Sequence, residues 1–233
     1  MALTMQRNGP SRIYESQGNR PLIEMLEPKP ARILDIGCGS GGNASLLQDR
    51  CSSSEIVGVT YSAKEAEIAR SYMSHVWVLD LEGDLPTELL SQRFDVLICS
   101  HILEHLRDPA FILARLVTML REGGQVLIAV PNVLSWRMRV QFLFGNFEYQ
   151  SGGVLDDTHL RFFTYNTADS LLSQSPDLYL EYKGVSGGVP LWLLRRYLLS
   201  GKWCRYIDHY GCRKWPNLFG NQILISAIKS KEA

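Results

Sequence analysis

The chain has 233 residues, 24 Lys+Arg against 24 Asp+Glu, and 45% hydrophobic residues. That length suits one well-buried α/β domain spanning residues 1–233, and the charge balance removes any general electrostatic case for nucleic acid or an anionic membrane. No apolar run reaches the roughly 20 residues of a spanning helix, and an odd set of five cysteines without metal-type spacing, together with the lack of an apolar signal core, leads to an expected cytoplasmic location.

Residues 1–13 are polar and contain Gly9-Pro10, which reads as a loose or ligand-ordered arm, and 21–26 read as a short helix stopped by Pro28 and Pro30. Arm and helix together make up residues 1–30. Arg32-Ile33-Leu34-Asp35-Ile36 then reads as a buried strand that runs through Gly37-Cys38-Gly39-Ser40-Gly41-Gly42 into a helix over 43–47. Backbone N–H groups at that helix start would face a ligand, and glycines let it approach closely. Gly37-x-Gly39-x-x-Gly42 satisfies the dinucleotide fingerprint literally. Asp35 argues for a different ligand, because an acid just before the turn attracts a cationic amino group and repels a pyrophosphate. A glycine turn without a ligand is the bland alternative.

Asp35-x-Gly37-x-Gly39-x-Gly41 at the end of the first strand resembles the first motif of the class I S-adenosylmethionine (SAM) dependent methyltransferases. The resemblance implies SAM as cofactor, with later site residues falling in a fixed order along the chain. Residues 55–60 are the second strand, and Ser62-x-x-Glu65 is a capping box for a helix through Arg70. The strand ends in Thr60 where such families usually carry the acid that holds the ribose. Gly58-Val59-Thr60-Tyr61-Ser62 resembles a Gly-Val-Thr-x-Ser variant found in some methyltransferases, including relatives of cyclopropane fatty acid synthase. A hydroxyl bonds a ribose more weakly than a carboxylate does. Tyr61 packs on the adenine or is an ordinary strand-end aromatic.

Residues 76–79 form a third strand followed by Asp80-Leu81-Glu82. The resemblance makes Asp80 the acceptor for the adenine amino group and Leu81 a backbone donor to the ring; the alternative is a helix-capping Asp. Pro86 begins a short helix. The fourth strand, 94–99, leads into Ser100-His101-Ile102-Leu103-Glu104-His105, and its Phe-Asp-x-Leu-Ile…Leu-Glu-His pattern is the second strong point of resemblance. The carboxyl end of a central strand places Ser100 and His101 near the sulfonium, while Asp95 lies at the other end in a structural role. Glu104 and His105 read as a cap and packing pair, with catalysis by His105 the alternative. With His101 they also invite a metal reading, which is set aside because the cluster is local and no distant Cys or His partner stands out. No metal is therefore expected.

Asp108-Pro109 caps a helix to Leu120 with apolar Phe111, Ile112, Leu116 and Met119, closed by Arg121-Glu122-Gly123-Gly124 ahead of a fifth strand at 125–130. Residues 132–163 exceed any ordinary connection. They are aromatic and basic, and an insertion after a central strand belongs above the ligand crevice. Trp136, Arg137 and Tyr149 are thus candidate acceptor contacts on a lid. Alternatively, the spacing of Trp136, Val140, Leu143 and Phe144 suits a packed helix face.

Thr158-His159-Leu160-Arg161-Phe162-Phe163-Thr164 resembles a segment of methyltransferases related to ubiquinone-biosynthesis enzymes, of others from glycan or natural-product pathways, and of methionine-metabolism proteins with the same fold. His159, oriented by Asp156 or Asp157, is the candidate general base, or else a hydrogen-bonding pin for the lid. Arg161 holds an acceptor carboxylate or phosphate, or pairs with Asp156 or Asp157.

A helix at 167–174, a sixth strand at 178–183, a second insertion at 184–217 and a last strand at 221–228 complete the chain. Within 189–200, Leu191 to Leu199 form an apolar helix with a basic band that covers its own domain in preference to lying on a membrane or on a second copy in a homodimer. The expected architecture is α/β: a doubly wound, seven-stranded, Rossmann-like sheet with an antiparallel last strand and insertions after strand five and between strands six and seven. The resemblance implies methyl transfer from SAM to a small-molecule or glycan acceptor, at oxygen given the histidine-bearing lid. Two other classes stay open: a non-catalytic protein of the same fold that acts through a partner enzyme, which Thr60 favours, and a nicotinamide-dependent oxidoreductase, which Asp35 and the missing ribose acid disfavour.

Overall fold

The computed structural model describes residues 17–29, 31–51, 53–190 and 200–230. The arm at 1–16 and the apolar segment at 191–199, both singled out in the sequence, lie outside the described residues. Asn19 caps α1 (Arg20–Ile23), with Pro21 in its first turn. There follow β1 (Arg32–Ile36), α2 (Gly42–Arg50), β2 (Glu55–Thr60), α3 (Ala63–Ala69), β3 (His75–Val78), α4 (Thr87–Leu90), β4 (Phe94–Ser100), a 3-10 turn (Leu103–His105), α5 (Pro109–Val117), β5 (Leu120–Pro131) and α6 (Trp136–Leu143). A second 3-10 turn (Ala168–Leu172), β6 (Leu178–Gly187), α7 (Gly201–Lys214), α8 (Pro216–Phe219) and β7 (Gly220–Lys229) complete the order.

The strands form a seven-stranded sheet in the order β3-β2-β1-β4-β5-β7-β6. The first five are parallel, and β7 runs antiparallel between β5 and β6. Side-chain alternation divides the apolar residues between two faces. Leu34, Ile36, Leu97, Cys99, Ile128 and Val130 join one buried cluster, whereas Ile33, Ile56, Ile98, Leu127 and Ala129 join another beneath α1 to α3. Asp35, one residue on from Leu34, therefore points to the second face, and its side chain is fully buried.

Several local expectations change. Helix α5 stops at Val117, and Leu120 already pairs with Phe94 across an irregular register, so Gly123 (φ +70°) bends the strand and does not close the helix. The helix expected over 167–174 is a 3-10 turn. The apolar spacing in the first insertion does not make a core face: in α6 only Met138 is buried, Leu143 is 81% exposed and Phe144 75%. Helix α7 likewise turns Trp203, Tyr206 and Tyr210 outward. Among the described residues no helix is long and apolar enough to cross a membrane.

Candidate active site

The order β3-β2-β1-β4-β5 reverses direction between β1 and β4, and the carboxyl ends of strands at such a switch point open a crevice. On its β1 side Gly37, Gly39 and Gly41 all have positive φ (71°, 51° and 91°), which L-residues with a Cβ rarely adopt. A Cβ at Gly37 would sit 2.8 Å from Ile102 across the crevice. Asn43, in the first turn of α2, donates from Nδ2 to Oδ1 of Asp35 at 3.2 Å, and its own Oδ1 accepts the backbone N–H of Asn19. The other Asp35 oxygen, Oδ2, has no hydrogen-bond partner. Burial pushes the Asp35 carboxyl up to about 7, against the single bond from Asn43. A buried carboxylate with one vacant acceptor fits a cationic amino group and does not fit a pyrophosphate.

Thr60, Tyr61, Asp80 and Leu81 line one cleft with Gly37, Ile102 and His105. Tyr61 is 58% exposed at its rim. Asp80 caps the following turn by accepting the Glu82 N–H at 3.0 Å. Thr60 departs from its expected role: its buried hydroxyl donates to Glu65 Oε2 at 2.7 Å, so its hydrogen is committed within the protein. The carboxylate that accepts it stands five residues further on, at the start of α3.

Ser100 and His101 belong to a network that sequence reasoning missed. Asn19 Nδ2 donates to Ser100 Oγ (3.3 Å) and to Gln222 Oε1 (2.8 Å), tying the N-terminal segment to the tips of β4 and β7. His101 has a positive φ of 53°, and its two ring nitrogens meet Glu104 Oε1 (3.2 Å) and Gln222 Oε1 (2.8 Å). Burial favours the neutral ring, yet the Glu104 carboxylate and Gln222 together raise the His101 pKa above its ordinary value. At Glu104 burial works against the charge, and His101 with His105 nevertheless holds the carboxyl below its usual range. Its Oε2 remains without a hydrogen-bond partner.

The insertion delivers His159 to this region, but by a different tether from the one expected. His159 is buried; Nδ1 meets the Val154 carbonyl at 2.9 Å and Nε2 lies 3.9 Å from Glu104 Oε1. The Asp156 carboxylate instead takes the backbone N–H and the hydroxyl of Thr158, and that hydroxyl oxygen meets His105 Nδ1 at 2.9 Å. Burial lowers the His105 pKa, with the Glu104 carboxylate opposing it. Arg161 also departs from expectation, since its guanidinium donates to the Arg107 carbonyl beside a separate cleft lined by Pro109 and Phe163. Trp136, Arg137 and Tyr149 do not line the cleft of Thr60 and Asp80. Arg137 stacks over Trp136, and Tyr149 is 57% exposed. Cys38 and Cys99 are buried, which pushes both thiols up and keeps them protonated packing groups.

The sheet order with its antiparallel β7, and a crevice at the switch point bordered by Gly37 and the tips of β2 and β3, define an open α/β ligand-binding fold of the Rossmann-like type. Residues 12–175, more than half of the chain, match a family model described as a methyltransferase domain, and the chain belongs to that family. Trans-aconitate 2-methyltransferase of Acidovorax sp. (strain JS42) is 29% identical over 125 residues, 52% of this chain and 48% of that protein. Ubiquinone biosynthesis O-methyltransferase of Aeromonas salmonicida is 33% identical over 105 residues, 43% of each. The chain thus spans about half the length, or less, of these curated relatives. A SAM-dependent methyltransferase from Archaeoglobus fulgidus superposes with a TM-score of 0.57 at 22% identity over 86% of both chains. The plantazolicin methyltransferase BpumL, solved with SAH, gives 0.56 at 17% identity over 87% of this chain and 77% of its own. At such identities the shared property is the fold.

Proposed function

We propose that the chain is a SAM-dependent methyltransferase that moves a methyl group to an oxygen of a small-molecule or glycan acceptor. The observation that carries this reading is the buried Asp35 carboxyl, whose vacant Oδ2 at the tip of β1 matches the amino group of the methionine moiety. SAM supplies a methyl group on a cationic sulfur, already activated for in-line displacement. The protein's task is then mainly placement, which for a well-oriented pair is worth ~7–11 kcal/mol.

In this reading Gly37, Gly39 and Gly41 let the ligand approach the backbone, and Asp80, the Leu81 N–H and the exposed ring of Tyr61 take the adenine. Glu65, with Thr60 hydrogen-bonded to it, takes over the ribose side. Ser100 and His101 border the methionine end. On the acceptor side His159 keeps Nδ1 on the Val154 carbonyl, so Nε2 is left to activate a hydroxyl, by accepting its proton or through an ion. Trp136, Arg137 and Tyr149 are the acceptor contacts of the exposed insertion, and Arg161 serves to anchor its end to Arg107. Oxygen is favoured over nitrogen because an amine needs no such histidine once deprotonated; the O-methyltransferase among the relatives is consistent with this choice.

Calorimetric titration with SAM, S-adenosylhomocysteine and NAD tests the reading. Saturable binding of the first two and none of NAD is expected. Binding of NAD in their place would make the crevice a dinucleotide site, and no binding of any of them would leave a fold acting through a partner.

A further inference from the structure

Glu104, His105 and His159 bring one ligand atom each to within 4.8 Å of one another. We propose that these three side chains bind a divalent transition ion of the zinc type; its use in acceptor activation rests on the methyl-transfer reading, but its binding does not. His159 is the distant partner that the sequence did not disclose, delivered by the end of the insertion to the turn after β4, where Leu160 and Arg161 donate their backbone N–H groups to the Glu104 carbonyl.

Hydrogen bonding fixes both imidazoles in the form that a metal requires. A carbonyl only accepts, so His159 Nδ1 carries the proton on the Val154 bond and Nε2 presents a lone pair. The Thr158 hydroxyl gives its hydrogen to the Asp156 carboxylate, so its oxygen accepts from His105 Nδ1, and His105 Nε2 is also left with a lone pair. Metal-ligating histidines are generally oriented in this way, by an outer acceptor on the far ring nitrogen. The two rings meet edge to face, with centroids 4.7 Å apart, and beside them lies the fully buried Glu104 carboxylate, whose Oε1 meets His101 Nδ1 and whose Oε2 has no hydrogen-bond partner. The His159 Nε2 to Glu104 Oε1 separation of 3.9 Å is too long for a hydrogen bond to satisfy the pair.

Two imidazole nitrogens and one carboxylate oxygen select a late first-row ion over magnesium or calcium, which take oxygen ligands, and three protein ligands leave a coordination position open. Of the three, His105 also lines the cleft shared with Gly37 and Asp80. An ion held there would supply Lewis acidity to an acceptor hydroxyl, easing loss of its proton to solvent, and the resulting oxygen would displace the methyl group from sulfur. The C–O bond forms as the C–S bond breaks, and the sulfur leaves as a neutral thioether.

The test is titration of the chelator-treated 233-residue chain with Zn²⁺ by calorimetry and with Co²⁺ by visible absorption. One ion per chain is expected, with the intense d–d bands of a low-coordinate Co²⁺ site. Affinity should fall more than a hundredfold in His159→Ala and in Glu104→Gln, and 10- to 100-fold in Thr158→Val, which removes only the orienting hydroxyl. Replacing the exposed His75 by Ala should change nothing. Circular dichroism identifies any variant that does not fold, and Thr158→Val then carries the comparison. No saturable one-to-one binding, or affinity unchanged in the folded variants, would overturn the site. S-adenosylhomocysteine binding to the same protein separates the two ideas: if it is retained while the ion titrations show no binding, the methyltransferase reading stands and only the ion is removed.

Discussion

Asp35 concentrates the chemistry of the site in one side chain. Its carboxyl stands at about 7 in the folded protein against a reference of 3.8, a difference of roughly 4 kcal/mol between its protonation states. Between those two pH values the folded chain holds a proton that the unfolded chain has lost, so this group's contribution to stability declines as pH rises through the window and is flat above it. Asp35→Asn should accordingly remove part of the fall in thermal midpoint between pH 4 and 8 measured without ligand; identical pH profiles for the two proteins would contradict this. Gly37→Ala should cost SAM affinity at least tenfold, because it combines a φ of +71° with a Cβ 2.8 Å from Ile102, and a folded mutant with undiminished calorimetric affinity would show that the turn does not face the ligand. The places of Asp35 and the glycines were legible in the sequence because strand, turn and helix start are contiguous there. Asn19 and Gln222 were not, since their bond joins residues 203 positions apart. His159 was legible as a residue type only; the Val154 carbonyl that fixes its tautomer is set by backbone geometry, which no side-chain pattern encodes.

Among the elements, β2 and α3 form the most tightly specified unit. Gly58 lies on the β2 face packed by Met73 and Cys38, and an added Cβ would stand 2.4 Å from the Met73 sulfur and 2.7 Å from the Cys38 sulfur. Gly58→Ala should destabilise the protein by about 1–3 kcal/mol through overpacking, read from denaturant midpoints; no loss would mean that Met73 moves aside freely. Ser62 caps α3 by accepting the Glu65 N–H, and Ser62→Ala should cost about 1 kcal/mol in the same measurement. This cap was readable from Ser-x-x-Glu alone, whereas the second role of Glu65, as acceptor for Thr60, needed the strand end and the helix start in one place. The opposite outcome occurs at α6. Its apolar spacing makes a helix, but among the described residues no neighbouring element buries Leu143 and Phe144, and periodicity carries no information about such a neighbour.

Across the whole molecule, the parallel order and the antiparallel β7 follow from the alternation of buried strands and amphipathic helices, which is why the sheet was legible while the paths of the two insertions were not. The sheet fixes the crevice, so a ligand that binds only the folded chain stabilises all of it: S-adenosylhomocysteine at a hundredfold excess over its dissociation constant should add about 2.7 kcal/mol, and NAD nothing. The most direct measurement of the central claim is calorimetric titration of SAM at pH 6.5 in two buffers of different ionisation enthalpy, with Asp35→Asn alongside. Pairing of the Asp35 carboxylate with the ligand's amino group predicts that binding releases a proton in the unaltered protein, and that this release disappears in the variant together with much of the affinity. Binding of equal strength and equal buffer dependence in both proteins would contradict it.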